Sequence, residues 1–201
     1  MTVILDYGVG NLFSLTGSLK ALNIPATVSA DPDIIRRADR LILPGVGAFG
    51  DAIDKLYHTG LVPYIIEFAE KKPILGICLG MQLLFEKSYE YGVHKGLGLI
   101  KGNVCPLAED MKQPLKIPHM GWNSLKLTKP SKLFKYTRDG EYVYYVHSYY
   151  AKDCAASITA VSDYGITVTG AVENGNVYGT QFHPEKSGQT GLKILRAFAE
   201  L

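Results

Sequence analysis

The sequence predicts an α/β protein: a three-layer domain with a central mixed, largely parallel sheet and a β-rich second half. Three observations predict it. In the first half, short apolar runs alternate with longer helix-forming stretches, the pattern of strand–helix–strand units on a parallel sheet. In the second half, β-prone runs follow one another across short turns such as Asp163-Tyr164-Gly165, the pattern of antiparallel strands. The chain has 201 residues, 47% apolar and 20% charged, which gives enough bulk for one core and a single domain over residues 1–201.

Thr2-Val3-Ile4-Leu5 reads as a first, interior strand. Asp6 to Gly10 is a loop, and Asn11 to Leu22 is a helix with Leu12, Leu15, Leu19 and Leu22 on one face. Gly8 and Gly10 raise the question of a dinucleotide fingerprint. The third glycine position holds Phe13, and no acidic residue ends a second strand, so that function is set aside. Ala26-Thr27-Val28 is a second strand followed by an Asp/Pro turn, and Arg40-Leu41-Ile42-Leu43 is a third. Helices are expected over Ala48 to His58 and Leu61 to Lys71. A buried strand starts at Lys72-Pro73-Ile74-Leu75, and helix formers run from Met81 to Lys87. Gly92 to Gly102 reads as a glycine-rich connection, Asn103-Val104-Cys105 as a short strand, and Asp110 to Pro118 as a proline-broken loop. Trp122, the only tryptophan, is expected in an exposed loop, where it either packs inward or anchors an interface. Strands follow at Glu141 to Val146, Ile158 to Val161, Ile166 to Val172 and Asn176 to Phe182, and a helix at Lys193 to Leu201 closes the chain.

Chemistry concentrates at Gly76-Ile77-Cys78-Leu79-Gly80. A strand that feeds a helix through G-x-C-x-G has the outline of a nucleophile elbow, with Cys78 as the nucleophile. A helix N-terminus favours a thiolate through its free N–H groups and dipole. The same pentapeptide also suits a small buried cysteine at a tight turn. Downstream, His183-Pro184-Glu185 ends a strand, and a bend at the proline can bring the Glu185 carboxylate back to the imidazole. Cysteine, histidine and carboxylate are the parts of a thiol triad in which the base takes the proton and the acid fixes its tautomer. Pro44-Gly45-Val46-Gly47 follows the third strand. Its glycines either leave N–H groups free to hold a small anion or make a plain strand-to-helix turn.

Composition excludes other classes. A net charge of +2 gives no basic stripe for nucleic acid, and no apolar run reaches the ~20 residues of a membrane span. The N-terminus has no basic region before its first strand, so no signal peptide is expected. Cys78, Cys105 and Cys154 are odd in number and widely spaced, which suggests a reducing compartment, the cytoplasm. Cys105 and Cys154 read as structural. No spacing fits a metal site, and no cofactor is expected.

Taken together, the G-x-C-x-G elbow with Gln82 just beyond it, the upstream Pro44-Gly45-Val46-Gly47 and the distal His183-Pro184-Glu185 resemble the class I (triad) glutamine amidotransferases nearly end to end. The resemblance implies a glutaminase that splits L-glutamine into glutamate and ammonia. It implies that the Val46 and Leu79 N–H groups form the oxyanion hole, and that Gly47, Gln82, His147, Ser148 and Tyr149 line the glutamine pocket. Asp6 to Asn11, Pro118-His119-Met120-Gly121-Trp122-Asn123 and His183 to Ser187 are most similar to the glutaminase subunits that pass ammonia to a (β/α)₈ cyclase subunit in histidine biosynthesis. That implies a heterodimer docked through Asn11, Met120, Trp122 and Lys186. A glutaminase serving another amidotransferase, such as pyridoxal phosphate synthase, is the alternative within the family. A cysteine peptidase, a chaperone of similar fold or a silent binding subunit are the alternatives outside it.

Overall fold

A computed structural model describes residues 1–112 and 114–201. Its first half alternates as expected: β1 (Thr2–Leu5), α1 (Leu12–Ala21), β2 (Ala26–Ser29), α2 (Pro32–Arg37), β3 (Arg40–Leu43), α3 (Phe49–His58), α4 (Val62–Lys71) and β4 (Ile74–Ile77). Then come α5 (Leu79–Leu83), β5 (Phe85–Ser88), β6 (His94–Lys95), β7 (Ile100–Pro106) and α6 (Leu107–Asp110). The second half is β8 (His119–Ser124), β9 (Lys126–Leu127), β10 (Tyr142–His147), β11 (Tyr149–Lys152), β12 (Ile158–Asp163), β13 (Thr167–Asn174), β14 (Val177–Thr180) and the helix α7 (Gly188–Ala199).

The main sheet has eight strands in the order β2-β1-β3-β4-β14-β13-β12-β9. Strands β2 through β14 in that order pair in parallel, and the remaining three pair antiparallel. The alternation of side chains along each strand divides the core in two. Val3, Leu5, Leu41 and Leu43 face α3 and α4 through Phe49, Leu56, Ile65 and Phe68. Ile4, Ile42 and Leu75 face α1 and α7 through Leu15, Leu19, Ile194 and Phe198. The result is the three-layer architecture with a mixed sheet. Two smaller sheets, β10-β8 and β11-β7-β5-β6, were not visible in the sequence pattern.

Several expectations need correction. The Asp/Pro turn after β2 is the helix α2, because Asp31 caps it through Asp33 N at 2.8 Å and Pro32 supplies a preset φ at its start. The helix expected to reach Lys87 ends at Leu83. The carbonyls of Leu83, Leu84 and Phe85 accept from the N–H groups of Leu97, Leu99 and Gly98 instead of from a next helical turn. Those bonds draw residues 96–100 against the elbow, so Gly92 to Gly102 holds strand β6 and the start of β7 rather than loop alone. Trp122 lies on β8, opposite Tyr144 of β10, not in a loop. The final helix begins at Gly188, earlier than expected. Gly191 permits it, since a Cβ there would come within 1.8 Å of the Pro184 carbonyl oxygen. Within the expected loop Asp110 to Pro118, Asp110 closes α6, and Gln113 lies outside the described residues.

Candidate active site

The elbow forms because three glycines let backbones touch. A Cβ on Gly76 would stand 2.6 Å from the Gly80 oxygen, and one on Gly80 would stand 1.9 Å from the Leu43 oxygen. A Cβ on Gly45 would meet Gly80 N at 2.6 Å, so the Pro44–Gly47 segment lies directly against the first turn of α5. Cys78 sits between β4 and α5 at φ +54, a conformation that costs a non-glycine residue energy and is held here by its surroundings. Its own N–H donates to Thr180 O at 2.7 Å, which ties the elbow to β14.

His183 follows the end of β14. Its N–H donates to Tyr144 O at 2.9 Å, and its Nδ1 bonds Glu185 Oε1 at 2.7 Å. Both side chains are almost completely buried. Burial pulls the imidazole pKa down, but Cys78 and Glu185 raise it further, to about 9. Ser187 fastens the turn, its hydroxyl donating to His183 O at 2.6 Å and accepting from Tyr144 N at 2.9 Å.

A cleft of about 300 Å³ gathers Val46, Gly47, Cys78, Leu79, Gln82, His147, Ser148, Tyr149, His183 and Lys186 around one space. That volume is at the small end for ligand pockets and suits a small metabolite. Larger surface grooves exist, one of about 860 Å³ beside α7, but it lacks a nucleophile–base pair. Chemistry, not size, therefore marks the site. Glu185 stands behind His183, and with Asn11 and Val46 it lines a second, much smaller hollow.

Two of the predicted pocket residues are more constrained than the sequence suggested. Gln82 spends both amide protons on Tyr149 O and Gln181 Oε1, each at 3.0 Å, which leaves its carbonyl for other partners. His147 has both ring nitrogens engaged, Nδ1 with Tyr149 O and Nε2 with His119 Nδ1, each at 2.9 Å. Met120 and Trp122 are 57% and 53% exposed, Lys186 is exposed at the cleft, and Asn11 caps α1 by accepting from Ser14 N.

The sequence reading missed four residues. Glu90 lines the cleft, its carboxylate fixed by Phe49 N at 2.6 Å and its pKa raised by burial. Gln181 donates toward Cys78 Sγ at 3.8 Å. The Tyr7 hydroxyl holds Pro44 O at 2.5 Å, and burial together with the nearby Cys78 raises its pKa. His119 is fully buried beneath the cleft wall. Tyr7, His119 and Gln181 lie in or beside runs the sequence singled out, but their contacts arise only in the fold, and Glu90 carried no local signal.

An elbow cysteine after β4 and a buried His–Glu pair after the parallel neighbour β14 stand together in an α/β fold. The model of the family described as glutamine amidotransferase class-I matches residues 3–200. The chain belongs to that family and is a glutamine amidotransferase. It is 47% identical over 206 residues to imidazole glycerol phosphate synthase subunit HisH of Syntrophotalea carbinolica, covering 100% of both chains. It is 50% identical to the protein of that name from Listeria monocytogenes serotype 4a, covering 100% of this chain and 96% of the relative. Among solved structures, one described as a glutamine amidotransferase aligns with a TM-score of 0.76 at 18% identity, covering 98% of this chain and 97% of that one. PurLQS from Thermotoga maritima aligns with a TM-score of 0.74 at 18% identity, covering 99% and 97%. At such identities the structural likeness concerns the fold.

Proposed function

We propose that this chain is the glutaminase subunit of imidazole glycerol phosphate synthase. It hydrolyses L-glutamine to glutamate and ammonia, and the ammonia passes to a (β/α)₈ cyclase subunit that forms imidazole glycerol phosphate and the aminoimidazole carboxamide ribonucleotide of histidine biosynthesis. The supporting observation is a single cleft holding Cys78 and His183 in a chain about half identical, along its whole length, to relatives bearing that name.

The mechanism follows from the residues. His183 keeps its proton well above neutral pH, so it enters as an imidazolium. Cys78 attacks the side-chain amide carbon as a thiolate. The carbonyl pair shifts onto oxygen, where the Val46 and Leu79 N–H groups hold it. On collapse the amide nitrogen takes the His183 proton as the C–N bond breaks, so ammonia leaves and a thioester remains on Cys78. Neutral His183 then draws a proton from water, the hydroxide displaces the thiolate, and glutamate leaves. Glu185 keeps the ring oriented throughout. Glu90 supplies a carboxylate suited to the substrate's α-ammonium group, while Gly47, Gln82, Ser148 and Tyr149 frame the rest.

Asn11, Met120, Trp122 and Lys186 form the docking edge, which works in the cytoplasm as half of a heterodimer. The test is glutamine turnover by the purified chain, alone and with the cyclase subunit present. Turnover that rises on adding the cyclase supports the reading. Indifference to glutamine, or turnover of peptides instead, would overturn it.

A further inference from the structure

Beneath the cleft wall runs a chain of hydrogen bonds between two carbonyl oxygens. At one end Asn123 Nδ2 donates to Asp163 O at 2.9 Å. Asn123 Oδ1 therefore accepts, and His119 Nε2 lies 2.7 Å from it as the donor. His119 Nδ1 meets His147 Nε2 at 2.9 Å, and His147 Nδ1 meets Tyr149 O at 2.9 Å. A neutral imidazole has one donor and one acceptor nitrogen. Both ends of this chain are acceptors, so two neutral rings leave two lone pairs facing each other in the middle. One additional proton satisfies every link.

We propose that His119 and His147 share that additional proton, and that the cationic pair positions the Ser148–Tyr149 wall of the cleft from strand β8.

A second observation favours charge here. His119 is sandwiched between two tyrosine faces, Tyr164 at 3.9 Å and 17° and Tyr145 at 4.7 Å and 22° between ring centroids and planes. Aromatic faces attract a cation, most strongly where water is excluded. Burial acts in the opposite direction and lowers the pKa of both rings, His147 to about 3, where a charge on His119 adds to the effect. Against it stand charge-assisted hydrogen bonds, about twice as strong as neutral ones. The ionisable groups nearby are Tyr145 from β10, Tyr164 beyond β12, and His183 beyond β14, which disfavours charge on His147. Glu90, Lys186 and Tyr149 line the cleft that His147 shares. No carboxylate bonds either ring among the described residues.

Tyr149 O takes donors from both His147 and Gln82. Loss of the shared proton as pH rises breaks one link in the chain and loosens the wall. The proton count stands on its own; the effect on glutamine rests on the proposed glutaminase reading.

Nitrogen-15 NMR of the histidine rings in the full chain at pH 7 tests the count. Three N–H protons across the pair, one of them far downfield between the rings, support it. Two unprotonated ring nitrogens would overturn it. Kinetics with the cyclase present test the positioning. KM for glutamine should rise about tenfold as the pair deprotonates, the loss expected for one charged hydrogen bond, with kcat changing less. Asn123→Ala removes the acceptor that forces the mismatch and admits water, which can donate to His119 Nε2. A neutral pair is then satisfied, and the rise in KM should vanish. An identical KM–pH profile in Asn123→Ala and the parent chain would overturn the positioning role. A folded chain with the NMR signature but no glutamine turnover would overturn only the glutaminase reading.

Discussion

Glu185 offers His183 one oxygen at 2.7 Å, while its other, Oε2, is buried with no partner among the described residues. Glu185→Gln keeps an acceptor for Nδ1 and removes the charge, so turnover should fall less than in His183→Ala. Deleting the base itself removes ~10²–10⁴-fold. Equal losses, measured as glutamine turnover with the cyclase, would mean that Glu185 does more than orient. Cys78→Ala should abolish glutamine hydrolysis yet leave the complex able to use ammonium salts, since the thiol serves amide cleavage alone. The raised His183 pKa also predicts a pH dependence of stability. The folded pKa of about 9 lies above the ordinary 6.5, so the stabilisation is complete below about 6.5 and lost as pH rises through about 9. Denaturant midpoints measured across that window should fall, and Glu185→Gln should flatten the slope.

At the scale of elements, the elbow is a contact between backbones, whereas α1 presents Gly17 to open space. The same substitution should therefore act in opposite directions in the two. Gly80→Ala drives a Cβ into the Leu43 carbonyl, with no flexible side chain to yield. Overpacking of this kind costs ~1–3 kcal/mol or more. Gly17 lies exposed within α1, with nothing within 4 Å of an added Cβ and no positive φ. Gly17→Ala should stabilise by ~0.5–1 kcal/mol. Urea midpoints of the two variants give the comparison, and a stable, fully active Gly80→Ala would show that the end of β3 and the first turn of α5 are not held in contact.

Across the whole molecule, Phe13, Met120 and Trp122 leave large apolar surface exposed. Trp122 packs edge-on to Tyr144, 6.0 Å between centroids, whose carbonyl holds the His183 N–H. The proposed docking edge is thereby connected to His183, the proposed base, through two adjacent strands. Trp122→Ala should weaken cyclase binding and lower the stimulated rate without changing the alkylation rate of Cys78. Val46→Pro removes one proposed oxyanion N–H, with an expected loss of ~10²–10³-fold in turnover, and should likewise leave thiol alkylation intact. Full turnover by the isolated chain would overturn the proposed dependence of turnover on the cyclase.

Local sequence determined the parts whose causes are local. Apolar runs made β1, β3 and β4, and leucines at helical spacing made α1. The glycines around Cys78 specified the elbow, because their need is steric and lies within a few residues. The contexts of Cys78, His183 and Glu185 are likewise local, and the fold brings the three residues together. Tertiary structure decided what depended on distant partners. The helix after Cys78 ends early because residues 96–100 take its carbonyls, and no pattern within Met81 to Lys87 records that. Trp122 belongs to a strand because β10 pairs with it. Glu90 enters the cleft because Phe49 N, 41 residues away, holds its carboxylate. His119 gives no sign in sequence of its proton balance with His147, since the mismatch arises only when two carbonyls of different strands cap the same chain of hydrogen bonds. Propensity and spacing act over a few residues, whereas hydrogen-bond partners and excluded volume are set wherever the fold brings backbones together.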